Sequence, residues 1–216
     1  MSENLGFLTV IDQLSSGLTG GYLVLNRAGR PLEFHCTMPL LPDKIQHILY
    51  GNTLQPFLYG ERIAQTLIQR SKLPVLSILT NHAAVLTVQS LVSIPIVYVF
   101  AEPTKPETDD TSALPPYREI SEELNESLKG FGIDSAHFRA RVTSASEKPQ
   151  IPHVPGFDTG NWREIQVGNR LIAVLQRETV VWEEFVAEIK ESARTIDLLE
   201  PFARIRLALD EAKNAA

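Results

Sequence analysis

The hydrophobic pattern divides the chain into two structured stretches separated by a polar, proline-spaced one. In the first, Tyr22 to Leu25 is an unbroken apolar run, as expected of a buried strand. Residues 26 to 30, "NRAGR", supply a turn in which Gly29 can take positive φ. Leu32 to Thr37 then alternates, with Leu32, Phe34 and Cys36 on one face and Glu33, His35 and Thr37 on the other. This predicts a β-hairpin whose Leu32–Phe34–Cys36 face lies on the core. Leu5 to Leu14 reads as an opening helix or strand. "PDKIQHILYG" predicts a helix: Pro42 suits the first turn, Asp43 the positive end of the dipole and Gly51 the stop, with Ile45, Ile48 and Leu49 on one face. A second helix is expected near residues 60 to 71, carrying Ile63, Ala64, Leu67 and Ile68 on one stripe. "LPVLSILTN" and "SIPIVYVF" read as strands. Between them Ala84, Val85, Val88, Leu91 and Val92 fit a helical face with Asn81 as N-cap, although the β-branched residues also suit a strand. The helical reading makes the flanking strands parallel with a right-handed crossover.

Residues 101 to 117 hold four prolines, several acids and almost no large apolar side chain, the composition of a linker. Residues 146 to 160 are proline-spaced and more apolar, as for an extended surface segment. Between them, Ser121 to Gly130 predicts a short helix and "HFRARVTS" a strand. "WREIQV" and "RLIAVLQRE" around Gly168-Asn169 predict a second hairpin. Two helices follow. One carries Val181, Trp182, Phe185, Val186 and Ile189; the other carries Leu198, Phe202, Ile205, Leu209 and Ala212, with Asp197 and Glu200 spaced as a capping box. The expected layout is an α/β domain over residues 1–101, an acidic linker or surface loop over 102–117, and an α+β part over 118–216. That last part is either separate or completes the first. The class is α/β, with mixed α+β as the variant. The run "GGYLVLNRAGRPLEF" followed by a helix and further strands resembles profilin-like modules of the roadblock and longin type. The likeness is architectural, covers less than half the chain and transfers no motif residue.

Composition narrows the partners. The 216 residues carry a net charge of −6, which argues against direct nucleic-acid binding and against anionic membranes. One cysteine allows no internal disulfide and no zinc site built on two thiolates, and fits a cytoplasmic setting. The first residues lack a basic region followed by an apolar run, and the longest apolar stretch is too short to span a bilayer. Neither common nucleotide fingerprint, no H-E-x-x-H and no G-x-S-x-G is present, so no catalytic group, metal or cofactor is expected.

Two clusters remain. Arg30, Glu33 and His35 share one strand face and, with Tyr50 and Tyr59 of the repeated Leu-Tyr-Gly, make a candidate interaction surface. Asn81 and His82 follow a predicted parallel strand, at the end where α/β sheets bind ligands; Glu33 and His35 complete that pocket if their strand is its neighbour. Cys36, on the apolar face, reads as a small core hydrophobe. The leading expectation is a cytoplasmic, non-enzymatic adaptor or regulator acting through a protein partner or self-association. The alternatives are a small-ligand sensor or unusual enzyme with a pocket at Asn81 and His82, and an accessory subunit of a nucleic-acid-processing assembly.

Overall fold

Leu5–Gln13 is a strand, β1. Its Leu5, Phe7 and Ile11 belong to one apolar cluster and its Leu8 and Val10 to another, a two-residue alternation that a helix cannot make. The structure, a computed structural model, describes residues 4–13, 17–100, 151–157, 162–168, 170–175 and 182–214. They belong to one compact unit, Met1–Ala101 with Ile151–Ala216. The linker expected at 102–117, the helix at 121–130 and the strand at 137–144 lie outside the described residues.

Strands β2 (Gly17–Leu25) and β3 (Pro31–Cys36) follow β1 as antiparallel neighbours. Their turn is organised by Asn26, whose Oδ1 accepts the backbone N–H groups of Ala28 and Arg30 at 3.0 Å each, with Gly29 at φ 71°. β4 (Ser77–Thr80) runs parallel to β1, and β5 (Ile96–Val99) parallel to β4. β6 (Trp162–Val167) and β7 (Arg170–Leu175) form an antiparallel hairpin, and β7 pairs antiparallel with β5. The result is a mixed seven-stranded sheet in the order β3-β2-β1-β4-β5-β7-β6, an α/β arrangement.

Helices cover both faces. Helix α1 (Lys44–Tyr50) starts at Asp43, whose carboxylate accepts Gln46 N while Gln46 Oε1 accepts Asp43 N, and stops at Gly51. Its expected apolar face is exposed: Ile45, Ile48 and Leu49 are each at least 65% accessible. Helix α2 is α-helical at Leu54–Pro56, π-helical at Phe57–Ala64 and α-helical again at Gln65–Arg70. A 3₁₀ helix, Ala83–Ser90, joins β4 to β5. These two elements pack on Leu8, Val10, Tyr22, Val24, Ile78 and Ile96. Helices α3 (Trp182–Ser192) and α4 (Glu200–Asn214) cover Leu5, Phe7, Leu23, Leu25, Val97 and Val99 on the other face. Burying both faces explains the near-continuous apolar runs of β1, β2 and β5.

Three local expectations change. Asn81 does not cap the helix before β5; the N-cap position is His82, and no side chain caps it. Asp197 and Glu200 do not form a capping box: Asp197 Oδ1 accepts Leu199 N at 3.2 Å, and Glu200 pairs with Arg204 one turn on. β3 alternates as predicted, but its outward face is the apolar one. Leu32 and Phe34 are 45% and 40% accessible and Cys36 is exposed. The reason is position: β3 is the sheet edge, and α4 packs on β1 and β2.

Candidate ligand site at the ends of the parallel strands

The site grows out of unequal strand lengths. β1 pairs with β4 only from Leu5↔Ser77 to Leu8↔Thr80, then runs on past it through Thr9, Val10, Ile11 and Asp12 with β2 as its remaining partner. Where β4 ends, side chains replace the ladder. Thr9 Oγ1 donates to Asn81 Oδ1 at 2.8 Å, Thr80 Oγ1 accepts His82 N at 3.2 Å, and the His82 ring bonds to the Val10 backbone. Both residues are therefore fixed at the carboxyl end of β4, beside the carboxyl end of β5. Thr80 is fully buried, and Asn81 and His82 are half-buried.

Tyr59 of α2 closes the side of the site, its ring edge-on to His82 at 5.7 Å between centroids. Tyr59 is buried and Tyr98 of β5 nearly so, and burial pushes both phenols up, so both remain hydrogen-bond donors at neutral pH. A hydrogen bond with Gln55 opposes that rise for Tyr59, and the Asp12 carboxylate adds to it. Burial pushes the His82 imidazole below its ordinary value, the Arg206 charge adds to this and the bond to Val10 opposes it. The ring is neutral at pH 7. Its Nε2 is buried and has no hydrogen-bond partner among the described residues. With one ring N–H used on Val10, a neutral imidazole offers its other nitrogen as an acceptor.

These groups surround a cavity of about 260 Å³, completed by Tyr98 and by Pro152, His153 and Pro155 of the segment that returns the chain to the sheet. A second cavity of about 530 Å³ lies on the other side of Gln55 and Tyr59, which line both; Asp12, His47 and Asn52 supply its other polar groups. Sequence reasoning named Asn81, His82 and Tyr59 but missed Gln55, Tyr98 and His153. Gln55 and Tyr59 are four apart on a helix, a spacing that puts them on one face. Tyr98 has the period-2 position of a residue on the same sheet face as Ile96. Nothing local marks His153.

The other candidates do not join this site. Arg30 lies in the turn after β2, at the end of the sheet opposite Asn81. Glu33 and His35 sit on β3, separated from β4 by β2 and β1, so they do not complete the pocket. They tie β3 to the end of α2 instead: Glu33 accepts Ser71 Oγ at 2.6 Å and Lys72 N at 3.2 Å, with His35 Nε2 at 3.1 Å in ion-pair range but outside hydrogen-bond geometry. Tyr50 stacks on Phe57 at 4.4 Å at the surface, while Tyr59 is buried, so the two tyrosines form no common patch.

The Glu33 tie has an acid signature. The Ser71 hydroxyl, then the Lys72 amide and His35, hold its carboxyl at about 2, well below the ordinary carboxylate range. A lowered carboxyl stabilises the fold fully above the unfolded value and loses that contribution as pH falls through the folded one. Glu33→Gln is expected to cost about 1–2 kcal/mol at pH 7 after solvent screening. The gap from the native protein should close between pH 4.5 and 2. Urea unfolding of both proteins across that range is the measurement; a gap that persists at pH 2 refutes the account.

No protein-family model matches the chain, and no curated protein matches it. Among solved structures, the chain is similar to endonuclease V of Ciona intestinalis in complex with a 23mer DNA containing an inosine followed by a ribo-adenosine. That point variant is 14% identical, with a TM-score of 0.42 over 97% of this chain and 86% of the other. The same enzyme with a 24mer DNA gives 11% identity and a TM-score of 0.42 over 97% and 87%. Both neighbours are nucleases holding DNA, and neither is an adaptor. On this finding the adaptor and protein-partner reading is corrected, together with the expectation against direct nucleic-acid contact. Arg30, Glu33, His35, Tyr50 and Tyr59, the surface on which that reading stood, form no single exposed patch: Tyr59 is buried, and Glu33 and His35 are engaged at the end of α2. At this level of similarity the likeness locates no residue of the site. No helix among the described residues is long and apolar enough to cross a membrane.

Proposed function

We propose that the protein binds a small molecule in the cavity at Asn81 and His82, as a ligand sensor or as the substrate site of an enzyme. The observation that carries this reading is an open cavity at the carboxyl ends of β4 and β5 with convergent polar groups. The polar residues Gln55, Tyr59, Asn81, His82, Tyr98 and His153 line it; behind the His82 ring surface, Nε2 is buried with no hydrogen-bond partner among the described residues. Thr9 and Val10 hold the two site residues before any ligand arrives, so little ordering entropy opposes binding. The cytoplasmic setting suggested by the single cysteine belongs to the same proposal.

The test is a fragment screen on the full chain, with heterocycles, sugars, amines, carboxylates and phosphates as probes, read by histidine-selective NMR. At least one probe is expected to shift the His82 ring signals saturably. Asn81→Ala should weaken it about tenfold, the loss of one to two hydrogen bonds. Because the ring is held neutral, affinity should stay level from pH 8 to 6.5 and fall only as the ring protonates below its ordinary value. If every hit shifts signals elsewhere and leaves His82 unmoved, the reading is wrong.

A further inference from the structure

We infer that the groove between α2 and the edge strand β3 binds the phosphodiester backbone of single-stranded nucleic acid. This site is separate from the cavity at Asn81 and His82 and does not depend on the ligand-binding reading.

Unpartnered charge comes first. Arg62, Thr66 and Arg70 recur every four residues along α2 and line one wall of a groove of about 460 Å³; Cys36, Thr37 and Met38 line the other. Both arginines are exposed, and among the described residues neither makes an ion pair. No Asp or Glu lines the groove. Glu61, beside Arg62 in the chain, lies outside the lining, and Glu33 on β3 is held by Ser71 and Lys72. The whole chain carries a net charge of −6. At 0.1 M salt, however, exposed charges more than about 10 Å away are largely screened, so the two arginines set the field of the groove.

Spacing selects the kind of anion. Eight residues of helix separate the arginines, roughly 12 Å at the helical rise. The guanidiniums are thus rooted far apart and address two anionic groups rather than clamping one, which calls for a ligand of repeated charge. Thr66 between them adds no charge, and its hydroxyl donates to Arg62 O at 2.6 Å. The planar guanidinium fork matches phosphate oxygens in pairs.

The groove is also partly apolar. Leu40 and Leu67 contribute to its lining, and Met38 is 83% accessible. A bare polyphosphate or an acidic peptide of glutamates brings charge but no apolar face. A single strand brings both, because its bases lie open beside its phosphates, whereas a duplex stacks and pairs them away.

Cys36, the single cysteine of the chain, is exposed in the groove and reports whether it is occupied. The experiment follows alkylation of the full chain by iodoacetamide, a neutral reagent, with octathymidylate as the probe. Octathymidylate should slow the alkylation saturably at 50 mM salt. Its affinity should fall about sevenfold by 200 mM, the slope of about −1.4 that two phosphate contacts on a single strand give. Arg62→Gln and Arg70→Gln should each halve that slope, and the double variant should lose protection while urea unfolding shows it folded. A methylphosphonate oligomer of the same sequence removes only the backbone charge and should not protect. An abasic oligomer with the same phosphates removes only the bases and should bind more weakly, as should octaglutamate. No protection by octathymidylate, equal protection by the methylphosphonate, or an unchanged slope in the double variant overturns the site. Equal binding of the abasic oligomer or of octaglutamate overturns nucleic acid as its ligand. The reading of the Asn81 and His82 cavity is tested separately, at the His82 ring signals.

Discussion

Gly60→Ala is expected to destabilise the protein by about 2–4 kcal/mol, although alanine is the better helix former by about 1 kcal/mol. Gly60 is buried in the π-helical part of α2, where the helix meets the 3₁₀ helix of residues 83–90. A Cβ there would overlap Thr87 Oγ1 and lie 3.1 Å from Thr87 Cβ and 3.2 Å from Val88 N. Thr87 cannot simply turn away, because its hydroxyl donates to Ala84 O at 2.9 Å and Pro56 O at 3.2 Å. The backbone amide of Val88 cannot move without moving the helix. Steric cost therefore outweighs propensity. The companion variant Thr87→Ala removes the overlapping atom but leaves its own Cβ, so the double variant should recover part of the loss and reveal a coupling of about 1 kcal/mol or more. Urea unfolding of the two single variants and the double one is the measurement. A Gly60→Ala protein as stable as the native one would mean that α2 and the 3₁₀ helix do not meet as described. The adjacent Tyr59 lines the candidate site.

What could be read from the pattern was periodicity, and what could not was the identity of the covering element. The β2–β3 hairpin, α1 with its stop at Gly51, the parallel pair β4 and β5 and the second hairpin all follow from spacing and turn chemistry over short stretches, although Pro42 lies before the Asp43 N-cap rather than in the first turn. β3 marks the limit. Its alternation was legible, yet Leu32, Phe34 and Cys36 face outward because the strand lies at the edge, and edge position is decided by pairing between residues far apart in sequence. β2 is a similar case: it begins at Gly17 and runs through Gly20 and Gly21, poor strand formers, because Ile63 and Ile205 occupy the space side chains would fill. For the site, Asn81 and His82 could be placed at a strand's end by rule. Their fixing by Thr9 and Val10 spans more than seventy residues, and His153 is brought in by a segment on the far side of the 102–150 stretch; no local window contains such information. A net charge of −6 is a property of the whole chain and described no particular surface.

The buried polar group on which the second parallel strand depends should be as sensitive as Gly60. Gln89 is 1% accessible at the end of the 3₁₀ helix. Its Oε1 accepts Ile96 N at 2.7 Å, the first amide of β5, and its Nε2 donates to Ile94 O at 3.0 Å and Val92 O at 3.3 Å. One side chain thus closes the loop that sets where β5 begins. Gln89→Ala is expected to cost about 3–5 kcal/mol, since it strands the buried Ile96 N–H at about 1–3 kcal/mol, removes the hydrogen bonds to two part-buried carbonyls and opens a void. Gln89→Met fills the same volume without the hydrogen bonds, so it separates the two contributions: a loss near that of alanine assigns the cost to the polar contacts, while near-native stability assigns it to packing and refutes the argument. Gln89→Glu should be worse than Met, because it turns a charge toward two carbonyl oxygens in a dry environment. Ile78 N donates to Pro95 O at 2.9 Å beside this loop, and β4 pairs with β5 from Ile78↔Ile96 onward. A shift at Ile96 is therefore carried two residues along the strand to Tyr98, a wall of the candidate cavity. A Gln89→Met protein that remains folded should then bind any His82-directed ligand more weakly than the native chain, even though Gln89 does not line the site.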